Sequence, residues 1–232
     1  MIEHLAVVIP ARNEGERLAA CLRSVRVALL HLQADRGVSA QVVVVLDSCT
    51  DDSHEIASGF AEFLSVETDY ANVGAARATG VARALDELGS APNTTWIANT
   101  DADSTVPRGW LVEQLQLADA GHDLTLGSVE PLRSELTAGQ LAAWELAHPL
   151  GAESGAVHGA NLGVRASVYL EAGGFAALGE HEDVHLVAAV RERGAPIVSV
   201  AGTPVTTSGR SVGRTPGGFA GYLSALDRVA VS

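Results

Sequence analysis

Two aspartates stand one residue apart, Asp101 and Asp103 flanking Ala102, just after the apolar run TWIAN at positions 95–99. In an extended stretch residues i and i+2 point the same way, so both carboxylates can face one hard cation. Carboxylate oxygens suit Mn²⁺ or Mg²⁺ better than zinc. Such a cation keeps some waters and takes further ligands from a diphosphate. The plainer alternative is an aspartate pair ahead of a helix that begins at Pro107. A second acidic pair, Glu182-Asp183, opens a helical run that ends at Gly194. A third polar group is Pro10-Ala11-Arg12-Asn13-Glu14, with Asp47 at the end of another apolar run. Side chains and open backbone of this kind can hydrogen-bond a planar base edge, and Asp47 can accept an imide N–H. Asn13 or Glu14 can equally cap a first helix, and Asp51 or Asp52 a second.

Composition removes several other chemistries. The 232-residue chain contains no lysine, so all 15 basic residues are arginine. A phosphate loop with its lysine, a pyridoxal Schiff base and a protein kinase are therefore excluded. The net charge of −13 repels phosphate polymers and anionic lipid, so nucleic acid is not an expected partner. Cys21 and Cys49, with no CxxC, read as reduced packing thiols. No apolar run reaches the ~18 residues of a membrane span, and no signal-peptide pattern opens the chain. A cytoplasmic location and no transmembrane segment are the expectation.

The elements that must carry these groups follow from hydrophobic spacing. Leu5 to Ile9 and Gln41 to Leu46 are continuous apolar runs, as in buried parallel strands. Leu18, Leu22, Val25, Leu29 and Leu32 recur at four and three, a helix with one apolar stripe. Ile56, Phe60 and Phe63 suggest a second helix, Phe63 to Val66 a weaker strand, and Asn72 the cap of a helix reaching about Leu88. Alternating strands and helices predict an α/β fold with a doubly wound sheet, whose ligands bind beyond the strand carboxyl ends. The three polar groups of the first half all leave such ends. The second half predicts a helix from Pro107, strands at 124–129, 162–164 and 197–200, and helices at 136–147 and 182–193. Gly151 to Gly159 reads as a loop over the site, and 208–221 as a Gly/Arg-rich tail. One domain is expected, with a nucleotide-binding half to about residue 105 and a smaller acceptor half from 106 to 232.

The ordered set PARNE (10–14), VVVVLDSCTDDS (42–53), NVGAARATG (72–80), NTDADS (99–104), HGANLGVR (158–165), GGF (173–175) and Glu182-Asp183 resembles an inverting family 2 glycosyltransferase with a GT-A fold. The resemblance covers about residues 5–194. It implies a Rossmann-like, mixed sheet and a nucleoside-diphosphate sugar donor, UDP-linked, with Mn²⁺ or Mg²⁺ as cofactor. It implies that Asp47 and Pro10 to Glu14 hold the base, and that Arg77 lies near ribose and phosphates. Asp101 and Asp103 match the metal-binding pair, Asp103 the more direct ligand, with Ala102 between them at the donor. Asp183, beside Glu182, matches the catalytic base, and His158, Asn161 and His181 would line the acceptor side. Arg12, Arg77, Arg165, Arg210 and Arg214 are the candidates to neutralise phosphate, with Arg210 and Arg214 placed to close over it. Many relatives carry two consecutive aspartates after the second strand; here Leu46-Asp47 leaves one. The QxxRW motif of processive members is absent, so one sugar is expected to go to a discrete acceptor: a small molecule, a lipid-linked molecule or a glycan. The oligomeric state is left open.

Two rival readings stand beside this one. His181-Glu182-Asp183-Val184-His185 satisfies HExxH, whose histidines bind zinc when both lie on one helix face, with Glu as general base. No His or Glu follows Glu192 to complete the ligand set. A nucleotidyltransferase also uses an acidic metal pair on an α/β sheet, but its Gly-rich N-terminal signature is missing.

Overall fold

In a computed structural model, residues 1–149, 155–213 and 217–229 are described. The first half alternates β1 (His4–Ala11), α1 (Gly15–Asp35), β2 (Ser39–Asp47), α2 (Ser53–Ser58), β3 (Leu64–Thr68), α3 (Val73–Leu88) and β4 (Thr95–Asn99). The second half contributes α4 (Trp110–Asp119), β5 (Leu124–Pro131), α5 (Ala138–Ala147), β6 (Leu162–Arg165), α6 (Ala166–Glu171), α7 (Glu182–Glu192), β7 (Ile197–Thr207) and α8 (Phe219–Val229). Among the described residues one mixed sheet runs in the order β3-β2-β1-β4-β6-β5-β7. Strands β1 to β4 pair in parallel, β6 lies antiparallel between β4 and β5, and β7 is parallel to β5. The sheet is the α/β arrangement expected from the sequence, and strands from both halves share it.

The buried strands explain the layers. Leu5, Val7 and Ile9 of β1 face a core shared with Leu18, Leu22 and Val25 of α1 and Leu111 and Leu115 of α4. Ala6 and Val8 face the opposite core, with Ala76, Val81 and Ala84 of α3 and Leu186, Val187 and Val190 of α7. A period-two strand covered on both sides must be apolar on both faces, and the stretches Leu5 to Ile9 of β1 and Val42 to Leu46 of β2 are. Asn72 caps α3 as its sequence predicts, its side chain accepting the Ala75 N–H at 2.9 Å.

Several boundaries differ from the sequence reading. α2 stops at Ser58, and Phe60 and Phe63 reach the core from the turn that follows. Pro107 accepts the Trp110 N–H in a turn ahead of α4, instead of starting the helix. β7 extends to Thr207, past Val200, and α6 and α8 appear where no helix was expected. No described helix is long and apolar enough to cross a membrane.

The start of α3 is pressed against the segment that leads into α7. A Cβ on Gly74 would lie 2.0 Å from the Ala176 carbonyl oxygen and 2.8 Å from the Leu178 nitrogen. Backbone cannot yield there as a flexible side chain would. Gly74→Ala should therefore cost about 1–3 kcal/mol in urea denaturation.

Candidate active site

The carboxyl ends of β1, β2 and β4, the turn before β6, the start of α7 and the segment after β7 enclose one cavity of about 1640 Å³. Pro10, Ala11, Arg12, Glu14, Asp47, Arg77, Asp101, Ala102, Asp103, His158, His181, Glu182 and Asp183 all line it. The two acidic pairs, some eighty residues apart in sequence, thus share a single space.

Asp101 and Asp103 do not sit in an extended stretch. The Ser104 N–H donates to the Asp101 carbonyl at 3.0 Å, closing a turn. The alternation argument for a shared direction fails, although both side chains still meet the cavity. Asp103 is nearly buried, pairs with Arg210 at 2.9 Å, and accepts from Ser104 Oγ at 3.3 Å and Thr207 Oγ1 at 3.4 Å. Burial pushes its carboxyl up to about 6, Asp101 adds to the rise and Arg210 opposes it. Arg210 also grips both oxygens of Glu14, at 3.0 and 3.2 Å.

Arg77 is 2% exposed and connects the two acidic pairs. Its Nη2 donates to Asp101 Oδ1 at 2.5 Å and its Nε to Glu182 Oε1 at 2.9 Å. A Cβ on Gly159 would lie 2.4 Å from Nη2, so glycine lets the backbone cover the guanidinium. Arg77 lines the cavity with Nε and Nη2 paired to Glu182 and Asp101, and its buried Nη1 has no hydrogen-bond partner among the described residues. Glu182 is likewise an ion-pair partner; burial raises its carboxyl, with Arg77 opposing. Asp183 next to it is partly exposed. Its Oδ2 accepts the Gly159 N–H at 2.6 Å and its Oδ1 the Val184 N–H at 2.8 Å. His158 lines the same wall, and burial lowers its pKa against the pull of Asp183 and Asp101. The imidazole is therefore neutral at pH 7.

Other assignments move. Asp47 lines the cavity, but Oδ1 accepts from Tyr70 N, Ala71 N and Thr68 Oγ1, and Oδ2 from Asn72 N. It builds the loop before α3, three of its four donors meeting Oδ1 and one meeting Oδ2. Asn13 does not line the cavity; at φ 50° its Oδ1 accepts from Thr50 N at 2.7 Å, tying two rim loops together. Asn161 is also turned away. It accepts from Trp110 Nε1 at 2.8 Å and donates to Ser128 O at 2.8 Å, beneath β5. Arg165 lies outside the cavity and pairs with Asp123 at 2.6 Å. Arg214 and residues 151–154 of the proposed loop fall outside the described residues.

His181 lines the cavity but caps α7 in the left-handed region, at φ 63°. It is off the helix that carries His185, so the two rings lack the i, i+4 face a zinc peptidase needs. Sequence reasoning missed Trp144, Phe219 and Tyr222, which also line the cavity. The usable signal was the spacing Phe219, Leu223, Leu226 inside a tail read only for its glycines.

Removing Arg77 tests this floor. Arg77→Leu should destabilise the protein by about 3–5 kcal/mol at pH 7, since it strands the buried Glu182 carboxylate. The loss should shrink on acidification, because Glu182, with its raised pKa, becomes neutral before an ordinary glutamate does. Urea denaturation at two pH values measures both effects.

No curated protein sequence matches the chain. Solved structures match its fold. S. aureus TarS 1–349 in complex with UDP-GlcNAc gives a TM-score of 0.66 at 14% identity, covering 98% of this chain and 66% of that one. A mannosyltransferase from Pyrobaculum calidifontis in complex with GDP-Man and Mn²⁺ gives 0.63 at 18% identity, covering 90% and 57%. Glucosyl-3-phosphoglycerate synthase from Mycobacterium tuberculosis, with Mn²⁺, UDP and phosphoglyceric acid, gives 0.58 at 20% identity, covering 99% and 76%. The chain thus spans just under two thirds of the TarS fragment, and shares with these enzymes the GT-A fold. The sequence model of glycosyl transferase family 2 matches residues 6–152, more than half of the length, and the chain belongs to that family.

Proposed function

We propose that the protein transfers one sugar, with inversion, from a nucleoside-diphosphate sugar to a hydroxyl of a discrete acceptor, using a divalent cation. The observation that carries this reading is the single cavity onto which Asp101, Asp103 and Asp183 all open, with Arg77 tying its floor together.

The donor set fits a hard cation. Nine carboxylates (Glu14, Asp47, Asp101, Asp103, Glu130, Glu145, Glu180, Glu182, Asp183) and four arginines (Arg12, Arg77, Arg133, Arg210) line the cavity among the described residues. A diphosphate entering so negative a space is repelled unless positive charge comes with it. Asp103 and Asp101 would hold Mn²⁺ or Mg²⁺ through oxygen, and two structures of the same fold were solved in complex with Mn²⁺. Such an ion, when bound, offsets the charge that grows on the departing diphosphate. Arg210 competes for the same Asp103 oxygen and can exchange that pair for a phosphate.

Asp183 is the proposed general base. Two backbone N–H groups fix its carboxylate, and it takes the proton of the acceptor hydroxyl as that oxygen bonds to the anomeric carbon. The bond from that carbon to the diphosphate oxygen breaks with its electron pair leaving on the diphosphate. Attack from the face opposite the leaving group inverts the centre. Neutral His158 stands beside Asp183 and can hydrogen-bond the incoming alcohol. Because Asp47's oxygens already accept four loop donors, the proposed donor is defined by its diphosphate and not by its base. A cytoplasmic site of action and the two-halves organisation belong to the same proposal.

Asp183→Asn should lower transfer at least 10²-fold, while calorimetric binding of UDP or GDP with Mn²⁺ persists. Loss of both together would mark Asp183 as structural. Nucleotide binding that depends on Mn²⁺ should weaken as pH falls through about 6, where Asp103 gains a proton and stops being an anionic ligand. A flat profile between pH 5 and 8 would remove Asp103 from the metal site.

A further inference from the structure

We infer that the wall formed by Trp144, His148, Phe219 and Tyr222 is the acceptor subsite, and that it takes an uncharged, ring-bearing alcohol. The inference rests on the transferase reading and adds the class of acceptor.

Aromatic residues make up only 4% of the chain: three Trp, three Tyr and four Phe. Trp96 and Trp110 are fully buried in the protein interior. The remaining tryptophan, one tyrosine and one phenylalanine meet two histidines at one wall of the cavity. Trp144 stacks on His148 with centroids 3.7 Å apart, and Phe219 and Tyr222 present edges to Trp144 at 5.6 and 6.1 Å. Tyr222 Oη lies 3.4 Å from His148 Nε2. Rings held by one another in this way form a rigid apolar wall with few polar edges, which suits the flat face of a ring.

This wall is continuous with the proposed base. His158 makes an edge contact with Phe219 at 6.2 Å. The next residue, Gly159, donates its N–H to Asp183. A ring lying on the aromatic wall can therefore bring a hydroxyl to Asp183. Space allows it: about 1640 Å³ exceeds the ~300–1,000 Å³ of a usual single-ligand pocket, leaving room for a second molecule beside a donor.

Charge selects the class. Carboxylates outnumber arginines among the described lining residues, and three of those arginines are already paired: Arg133 with Glu145, Arg77 with Asp101 and Glu182, and Arg210 with Asp103 and Glu14. The balance disfavours a phosphate- or carboxylate-bearing acceptor. A sugar ring and a phenolic ring share the required flat, uncharged face, and the test separates them.

The protein, held with UDP and Mn²⁺, is titrated by calorimetry with methyl β-cellobioside, a phenolic aglycone such as naringenin, and 3-phosphoglycerate. Trp144 emission reports location, since Trp144 lines the cavity and Trp96 and Trp110 do not. Binding of one neutral probe at least tenfold tighter than 3-phosphoglycerate is expected, and which one binds names the ring type. Tyr222→Ala and His148→Ala should each weaken that probe tenfold or more. Tyr222 is 41% exposed, so its replacement leaves the interior intact where Trp144→Phe would disturb it. The inference is overturned if neither neutral probe binds, if 3-phosphoglycerate binds as well as they do, or if both variants bind the probe unchanged. Failure of UDP and Mn²⁺ to bind the parent protein would instead sink the transferase reading itself.

Discussion

The guanidinium of Arg77 holds the cavity floor together. A buried arginine is stable only with its charge answered, and here Asp101 and Glu182 meet Nη2 and Nε, while the buried Nη1 has no hydrogen-bond partner among the described residues. The two carboxylates arrive from opposite halves of the chain, one after β4 and one at the start of α7. Glu182 could not be buried without that cation, while Asp101 stays partly exposed to the cavity. Gly159 closes over the pair and hands its own N–H to Asp183, so the same few atoms set the position of the proposed base. The ion pair is therefore a geometric device as much as a stabilising one.

Around that floor the charges divide by task. Arg77, Glu182 and Asp47 are committed to protein partners and shape the site. In the proposed reading Asp103, Asp101 and Asp183 are the carboxylates that meet ligand, Asp103 by exchanging its pair with Arg210 and Asp101 while still paired with Arg77. In the proposed transferase, the excess of carboxylate over guanidinium in the cavity is the reason a diphosphate would enter with a hard cation. It also explains why an anionic acceptor is a poor match for the aromatic wall. One electrostatic imbalance thus bears on both substrates.

Most of the first half was legible in the sequence. Continuous apolar runs in β1 and β2 can only be strands covered on both faces, the stripe of α1 has a helical period, and Asn72 caps α3 as its type predicts. The placing of polar segments at strand carboxyl ends followed from the α/β pattern. The second half was less legible. α6 is short, and α8 is hidden in a glycine-rich tail where composition outweighed the spacing of Phe219, Leu223 and Leu226. The extended reading of residues 101–103 failed because a local hydrogen bond to the Asp101 carbonyl turned the chain.

By itself, then, the sequence determined the inventory: which carboxylates follow which strands, the absence of any lysine, and the apolar periods that layer helices on both faces of a sheet. Tertiary structure decided which of those groups are spent and which are open. Glu14 finds Arg210 196 residues away, and Arg77 finds Glu182 at a separation of 105. Asn161 and Asp47, which look like ligand contacts by type, are consumed by Trp110 and by four donors of the 68–72 loop. Local spacing reports the period of an element; it carries no record of which distant side chain will satisfy a buried charge. That partner is fixed only when the sheet brings the strand ends together and most buried polar groups find one.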